Sequence, residues 1–194
     1  MVDLCDVFES CVDTYNNEPT FQAAGVEVLH SQIGTTDLLA FRGTSDAADA
    51  IKDLRAMPWA SPVGMTHSGF YKSVKLVWAD LLPIIANGRP TILAGHSKGG
   101  AEATITAALA VNAGFVPLSL VTFGSPRCGF SQMVRVLKPV PIKRYVNAED
   151  AVPDHPWPLW GYRHPCEALV IGETQGRYDD HMLESGYGVS LGFR

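Results

Sequence analysis

A sharp turn between an apolar strand and a helix of small residues constrains the fold of this chain most. The sequence AGHSKGGAEATITAALA occupies residues 94–110, directly after the apolar run that begins at Thr91. Glycines stand two residues before and two residues after Ser97. Because glycine carries no side chain, the strand and the helix can approach each other closely here. The pattern predicts a strand that turns abruptly into a helix, with the Ser97 hydroxyl projecting over the edge of a sheet.

The composition of this turn favours a nucleophilic serine. Residues 95–99 read Gly-His-Ser-Lys-Gly, which matches the G-x-S-x-G pattern of serine nucleophiles. The backbone N–H groups at the start of the following helix carry partial positive charge, which stabilises a developing oxyanion. A phosphate-binding loop needs Gly-Lys-Ser or Gly-Lys-Thr, whereas this lysine precedes Gly-Gly-Ala. A helix that begins at Ser97 and has no catalytic role is the alternative.

A long uncharged segment, residues 103–126, has the length of a membrane-spanning helix. It is interrupted at residues 112–114, which read Asn-Ala-Gly, and again at Pro117. We therefore predict a buried helix from Gly100 to about Val111, a turn, and a buried strand Leu118–Phe123. No integral membrane segment is expected.

Strands and helices alternate along the rest of the chain. Apolar residues recur at helical spacing over residues 3–17 and 70–87. Residues 57–69, rich in proline, glycine and serine, are predicted as a loop, and Ser45–Leu54 as a weak helix. The alternation predicts a single α/β domain over residues 1–194, with a central, mostly parallel sheet flanked by helices. The predicted strands are Val26–Ser31, Asp37–Phe41, Thr91–Ala94, Leu118–Phe123, Ile142–Val146 and Ala168–Ile171.

Composition excludes several classes of protein. The net charge is −5 and no lysine or arginine cluster occurs, which argues against a nucleic-acid partner. The cysteines include no C-x-x-C pair, and neither His96 nor His164-Pro165-Cys166 has the spacing of a metal site. No nucleotide, flavin or haem pattern occurs, so neither a cofactor nor a metal is expected. Residues 1–6 lack the basic and apolar regions of a signal peptide, which predicts a cytoplasmic protein as synthesised.

A nucleophilic serine needs a base and an orienting acid. Asp150 follows the predicted strand Ile142–Val146, which puts its carboxylate at the same sheet edge as Ser97. The residues alone leave the choice open among several candidates. The rival acids are Asp154, Asp179 and Asp180, and the candidate bases are His155, His164 and His181.

Several stretches share one further similarity. In chain order they are LLAFRGTSDAADAIKDL, HSGFYKSV, GHSKGG, VTFGSPRCG, YVNAEDAVPDHP, YRHPCEALVIG and YDDHMLESGYG. They resemble, in the same order, the motifs of the class 3 lipases, the fungal-type triacylglycerol lipase family of α/β-hydrolases. The resemblance extends over most of the chain.

This resemblance implies an α/β-hydrolase fold in which Ser97 is the nucleophile, Asp150 the orienting acid and His181 the base. It places His164 at a position that is usually structural in the family. His164 is the alternative base. It also implies an oxyanion hole formed by the N–H of Thr44 and the N–H of the residue after the nucleophile, Lys98. The lysine is a departure, since the family commonly has leucine there.

The resemblance also implies a short lid near residues 45–60. Its central part, Ala47–Leu54, has a small apolar face and no aromatic residue, so strong interfacial activation is not expected. The tryptophan-containing loop after Asp150 lies at the active edge and is a candidate acyl-binding surface, with packing against the core as the alternative. The candidate substrate-binding residues are Ile51, Leu54, Trp157, Leu159 and Trp160.

These features predict a cofactor-free carboxylic ester hydrolase acting on acylglycerols or related short- to medium-chain esters. Its partner is then a small-molecule or lipid ester, while the sequence indicates no particular oligomeric state. A phospholipase A-type enzyme is one alternative. A catalytically inactive lipid-binding descendant is the other.

Overall fold

A seven-stranded sheet forms the centre of the fold. The computed structural model describes residues 2–44, 57–176 and 178–193. In the large sheet the strands follow the order β1-β2-β3-β6-β7-β8-β9, while β4 and β5 form a separate pair. In chain order the strands are β1 (Phe21–Ala23), β2 (Val26–Ile33), β3 (Thr36–Phe41), β4 (Pro58–Ser61), β5 (Gly64–His67), β6 (Thr91–His96), β7 (Ser119–Phe123), β8 (Ile142–Asn147) and β9 (Leu169–Ile171).

The large sheet is mostly parallel. Strands β1, β2 and β3 pair antiparallel, and the four pairings from β3 through β6, β7 and β8 to β9 are parallel. The predicted α/β fold with a mostly parallel sheet is therefore confirmed. Because parallel strands end at the same edge of a sheet, the residues that follow β3, β6 and β8 lie near one another. Phe41, the last residue of β3, is the register partner of Gly95 in β6.

Helices cover both faces of this sheet. On one face α2 and α3 pack on a core that includes Leu93 and Leu120, and on the other α1 packs on a core that includes Ile92 and Val121. Successive residues of a strand thus enter opposite cores, which explains why these strands are continuous apolar runs. The helices are α1 (Leu4–Asn16), α2 (Ser68–Ile85), α3 (Lys98–Asn112), α4 (Ser131–Val136) and α5 (Val189–Leu191).

The uncharged segment, residues 103–126, forms a helix, a turn and a strand, as predicted. It contains most of α3 and all of β7, and every residue from Gly99 to Ala110 is buried. Burial on all sides explains why residues 103–110 carry no charge, whereas the turn at residues 112–116 is exposed. Among the described residues, no helix combines the length and the apolar character needed to cross a membrane.

Residues 57–69 differ from the predicted loop. Strands β4 and β5 pair there as an antiparallel hairpin, and Thr66 forms a further bridge to Gly129. The hairpin escapes prediction because its strands are short and contain proline, serine and glycine. Likewise, β1 and α4 are too short to produce a periodic pattern. The predicted weak helix Ser45–Leu54 lies outside the described residues.

Candidate active site

The turn at Ser97 brings a strand and a helix into close contact. Strand β6 ends at His96, α3 begins at Lys98, and Ser97 between them has φ 54° and ψ −128°. A positive φ is uncommon outside glycine and persists where the surrounding packing enforces it. A Cβ at Gly95 would overlap the backbone of Gly99, and a Cβ at Gly99 would overlap the backbone of β3. Both glycines are therefore required by the close approach that holds Ser97 in this conformation.

Ser97, His181 and Asp150 form a buried chain of hydrogen bonds. Nε2 of His181 lies 2.8 Å from Oγ of Ser97. Nδ1 of His181 lies 2.9 and 2.8 Å from the two carboxylate oxygens of Asp150. All three side chains are buried. The arrangement suits proton transfer from Ser97 to His181, with Asp150 fixing the orientation of the imidazole ring.

The other two candidate bases make different contacts. Nδ1 of His155 lies 3.0 Å from the carbonyl oxygen of Ala151, and Nε2 of His164 lies 2.8 Å from the carbonyl oxygen of Pro153. Burial, together with the positive charge of Arg144, lowers the pKa of His164 to about 3. His164 is therefore neutral near pH 7, and its hydrogen bond holds the segment after Asp150 in place.

The carboxylate of Asp150 has two further donors. The backbone N–H of Val152 donates to Oδ1 at 2.9 Å, and the Tyr187 hydroxyl donates to Oδ2 at 2.6 Å. Burial and the adjacent charge of Asp150 raise the pKa of Tyr187 well above its ordinary value, so the phenol stays protonated as a donor. Tyr187 lies within a π-helix, Leu183–Gly188. Sequence reasoning missed it, because nothing in the local pattern indicates that this turn brings a hydroxyl back to Asp150.

Asp180, one of the rival carboxylates, organises the loop that carries His181. Its Oδ2 accepts hydrogen bonds from the backbone N–H of Glu149 at 3.1 Å and from the Thr174 hydroxyl at 3.0 Å. The side-chain amide of Asn147 donates to the backbone carbonyl of Asp180 at 3.0 Å. These bonds tie the segment before His181 to the end of β8, where Asp150 follows. Asp180 therefore acts on the site through the backbone.

The segment after β3 lies against the turn at Ser97. A Cβ placed on Gly43 would lie 3.1 Å from Cβ of Ser97, which shows how closely the two backbones approach. The next residue, Thr44, lines a cavity beside His181. Lys98 is the first residue of α3, so its backbone N–H belongs to the positively polarised end of that helix. Thr44 and Lys98, the residues predicted to form the oxyanion hole, thus belong to the two segments that meet at Ser97.

The side chain of Lys98 makes its contacts away from that cavity. Its Nζ donates to the carbonyl oxygen of Gly25 and lies 3.7 Å from Oε1 of Glu102, one turn along α3. Glu102 is fully buried, and burial raises its pKa to about 8. Lysine in place of leucine at position 98 therefore introduces a cation that contacts Gly25 and Glu102. The backbone N–H at this position is unaffected by the change of side chain.

A second chain of hydrogen bonds links α1 to the turn at Ser97. The Tyr15 hydroxyl is hydrogen-bonded to the backbone of Gly43 and lies 2.8 Å from Nδ1 of His96. Nε2 of His96 lies 2.7 Å from the carbonyl oxygen of His181. Burial and the nearby His181 ring lower the pKa of His96 to about 3, so the ring is neutral. Because a carbonyl only accepts, Nε2 of His96 carries the proton and Nδ1 accepts from Tyr15.

An open cavity of about 390 Å³ lies beside this network. The predicted substrate-binding residues Trp157, Leu159 and Trp160 are exposed and are not among the residues that line it. The other two, Ile51 and Leu54, lie outside the described residues. The lining residues are Tyr15, Thr44, His96, His181, Met182, Leu183, Glu184 and Ser185.

Other reactive groups contribute little to this site. Within residues 2–44, 57–176 and 178–193, no three histidine, cysteine, aspartate or glutamate side chains are grouped so as to hold a metal ion. The four cysteines are free thiols. Burial raises the pKa of both Cys11 and Cys128 to about 12, which keeps these two thiols protonated and unreactive.

Fungal lipases resemble this chain in both sequence and fold. Secreted mono- and diacylglycerol lipase 2 of Gibberella zeae is 30% identical over 178 residues, which cover 71% of this chain and 44% of that protein. The lipase of Rhizomucor miehei is 32% identical over 155 residues, which cover 72% of this chain and 42% of that protein. A solved structure of the R. miehei triacylglyceride lipase, 24% identical, has a TM-score of 0.70 and shares the fold over 80% of this chain and 65% of its own.

The chain thus spans less than half the length of the two curated relatives described above. The model of one family, Lipase (class 3), matches residues 38–159, more than half of the chain and including both Ser97 and Asp150. The resemblance inferred from the sequence motifs is confirmed by this match. The chain belongs to the class 3 lipase family.

Proposed function

We propose that this chain is a carboxylic ester hydrolase that works through a serine acyl-enzyme. Ser97 is the nucleophile, His181 the general base and acid, and Asp150 the residue that orients His181. The observation that carries the proposal is the buried hydrogen-bond chain of these three side chains, with 2.8 Å between His181 and Ser97. Membership of the class 3 lipase family supports the same reaction.

In the proposed mechanism Nε2 of His181 carries one proton in each half-reaction, first from Ser97 to the leaving alcohol and then from water back to Oγ of Ser97. Oγ of Ser97 attacks the ester carbonyl carbon while Nε2 of His181 takes the hydroxyl proton, and Asp150 stabilises the resulting imidazolium. Nε2 then returns that proton to the leaving alcohol as the carbon–oxygen bond breaks, which leaves an acyl group on Ser97. A water molecule, deprotonated by Nε2, attacks the acyl-enzyme. Collapse of the second tetrahedral intermediate releases the acid and restores the Ser97 hydroxyl.

The negative oxygen of each tetrahedral intermediate requires donors that are already in position. We assign this role to the backbone N–H groups of Lys98 and Thr44. Because Lys98 begins α3, its N–H adds the favourable end of the helix dipole. Removing one such donor typically costs about 3 kcal/mol of transition-state stabilisation.

The proposed substrates are acylglycerols or related short- to medium-chain esters. The names of the relatives support this class, since the G. zeae protein is a mono- and diacylglycerol lipase. The cavity beside His181 supports it as well, because Met182 and Leu183 give its wall an apolar part suited to an acyl chain. Its volume of about 390 Å³ suits a chain of modest length.

Turnover of a p-nitrophenyl ester series, from acetate to palmitate, tests the proposal directly. We expect hydrolysis with a maximum at short to medium chains. Absence of turnover by the folded protein across the whole series would favour an inactive lipid-binding descendant. Hydrolysis confined to phosphatidylcholine, with no cleavage of these esters or of tributyrin, would favour the phospholipase A-type alternative.

Replacing Tyr15 with phenylalanine should lower kcat while leaving KM for a soluble ester nearly unchanged. The change removes a hydroxyl that donates to Nδ1 of His96 and is also hydrogen-bonded to the backbone of Gly43. An unsatisfied buried polar group costs about 1–3 kcal/mol. If about half of that is lost from the transition state, kcat falls by about two- to tenfold. Steady-state kinetics on p-nitrophenyl butyrate measures the effect.

Tyr71→Phe is a matched control for this change. Tyr71 packs against the core on the opposite face of the sheet, so the same loss of a hydroxyl should leave kcat at the wild-type value. A Tyr15→Phe protein with a lower melting temperature but unchanged kcat would limit Tyr15 to a structural role.

A further inference from the structure

The segment after the short helix that follows Asp150 exposes an unusual amount of apolar surface. We refer to residues 156–161, Pro-Trp-Pro-Leu-Trp-Gly, as the tryptophan loop. Trp157 is 57% exposed, Leu159 is 89% exposed and Trp160 is 59% exposed. Three large apolar side chains are thus exposed within four consecutive residues, and exposed apolar surface of this extent indicates an interaction site.

The tryptophan loop is held in this exposed conformation by specific contacts. Nη1 of Arg127 donates to the carbonyl oxygen of Pro156 at 3.2 Å, and Nη1 of Arg163 donates to the carbonyl oxygen of Pro158 at 2.7 Å. The loop ends at Gly161, whose φ is 93°. A Cβ there would overlap the ring of Phe130, so the left-handed turn and the close packing both require glycine.

The two side chains that donate hydrogen bonds to the tryptophan loop, Arg127 and Arg163, are positively charged. Burial lowers the pKa of Arg127, and the nearby positive charge of Arg163 lowers it further. Asp154 partly offsets this charge, and residues 156–163 contain no carboxylate of their own. The surface thus combines two indoles and a leucine with two arginines, although the chain as a whole has a net charge of −5.

Indole rings favour the boundary between water and lipid, because they are apolar over most of their area and carry one hydrogen-bond donor. Leucine favours the hydrocarbon beneath that boundary, and guanidinium groups bind phosphate oxygens. We infer that the tryptophan loop binds the protein to the surface of a phospholipid layer. Leu159 and the two indoles enter the lipid boundary, and Arg127 and Arg163 lie next to the phosphate groups.

The position of the tryptophan loop fits this role. It is separated from Asp150 by a single turn of 3-10 helix, Val152–Asp154, so it belongs to the same edge of the sheet as Ser97. Docking there holds the edge that carries the catalytic residues near the lipid. The biological purpose of docking rests on the proposed ester hydrolase function. The docking itself requires no ester cleavage. It also requires no contribution from residues 45–56.

Vesicle sedimentation tests this inference with a chain that does not hydrolyse lipid. The Ser97→Ala protein is mixed with vesicles of phosphatidylcholine and phosphatidylglycerol and compared with the same protein carrying Trp157→Ser, Leu159→Ser and Trp160→Ser. We expect the first to sediment with the vesicles and the second to lose binding by about tenfold or more. Because no ester is cleaved, the result is independent of whether the proposed hydrolase activity is found.

A matched control comes from the opposite edge of the sheet. Val116 and Leu118, between α3 and β7, are 55% and 51% exposed. Val116→Ser with Leu118→Ser, in the Ser97→Ala chain, removes exposed apolar side chains far from the tryptophan loop and should leave vesicle binding unchanged. Circular dichroism and thermal melting establish that all variants are folded.

Three outcomes would overturn the inference. The first is equal vesicle binding by the chain with and without the three serine substitutions. The second is equal binding to vesicles with and without phosphatidylglycerol, which would contradict the role of the two guanidinium groups. The third is a dimer, detected by light scattering, that the three substitutions dissociate while no vesicle binding is found. That result would assign the surface to a second copy of the chain.

Discussion

Replacing Ser97 with alanine should abolish ester hydrolysis and leave the fold intact. The substitution removes the only atom of the side chain that can attack a carbonyl carbon, and it keeps the Cβ that packs beside Gly43. Loss of the nucleophile from a set of residues that act as a unit lowers kcat by about 10⁴-fold or more. The strained backbone at φ 54° is the same for alanine as for serine. We therefore expect a change in unfolding free energy within about 1 kcal/mol.

The measurement combines kcat/KM for p-nitrophenyl butyrate with thermal melting. Ser125→Ala is a suitable control, because Ser125 is also buried and its Cβ lies near Gly100 in the first turn of α3, yet its hydroxyl donates to the carbonyl oxygen of Pro126. This control should keep turnover close to that of the wild type. A folded Ser97→Ala protein with near wild-type turnover would remove Ser97 from the mechanism.

A fluorophosphonate provides an independent measurement of the same assignment. It reacts with a serine whose hydroxyl is activated by an adjacent base, and it forms a stable adduct at that oxygen. We expect labelling at Ser97 alone, detected by mass spectrometry of the digested protein. Labelling at Ser125, or equal labelling of the Ser97→Ala protein, would contradict the assignment.

The framework of the site could be predicted because it depends on local constraints. The close approach of β6 and α3 needs glycine at positions 95 and 99, and this requirement is visible in the sequence. The buried position of α3 likewise excludes charge from residues 103–110. Such features restrict each residue through its immediate neighbours, so a single sequence carries the information.

The choice of acid and base depends on contacts that the local pattern does not contain. Asp150 and Asp180 both follow plausible elements, yet Asp180 accepts bonds from the backbone of Glu149 while Asp150 faces His181. The distinction arises because Asn147, at the end of β8, and Glu149 bind the backbone and the side chain of Asp180. The residues alone left the choice open, and the predicted assignment came from the resemblance to known motifs.

Two other features lie beyond what periodicity can predict. Tyr15 recurs at helical spacing with the apolar residues of α1, so the pattern explains it as a core residue and conceals its bond to His96. The tryptophan loop has the composition of a buried, proline-stiffened segment. Its exposure follows from arginine-to-carbonyl bonds across the loop, which no apolar pattern records.

Replacing His181 with alanine should lower kcat by about 10³-fold or more, whereas His164→Ala should act mainly on stability. In the proposed mechanism His181 takes up and returns the transferred proton, so its loss removes both the general base and the general acid. The variant keeps the backbone carbonyl of residue 181, which accepts the bond from His96. The fold around the turn at Ser97 is therefore expected to survive. Turnover of p-nitrophenyl butyrate and thermal melting separate the two effects.

The pH dependence of melting provides a separate test of the role of His164. The pKa of His164 is lowered to about 3 in the folded chain, against about 6.5 when unfolded. The unfolded chain therefore binds more protons between these values, and stability falls as pH decreases from about 6.5 towards 3. His96 contributes in the same direction. His164→Ala should melt at a lower temperature near pH 7 and lose less stability than the wild type on acidification.

The opposite result would reverse the assignment of the base. If His164→Ala abolished turnover without changing the melting temperature, while His181→Ala remained active, His164 would have to reach Ser97 in the reacting enzyme. That would require breaking its 2.8 Å bond to the carbonyl oxygen of Pro153 and displacing His181 from Asp150. Both contacts hold buried polar groups, and each would leave an unsatisfied partner if broken. The two variants, measured in one buffer series, therefore decide which imidazole moves the proton.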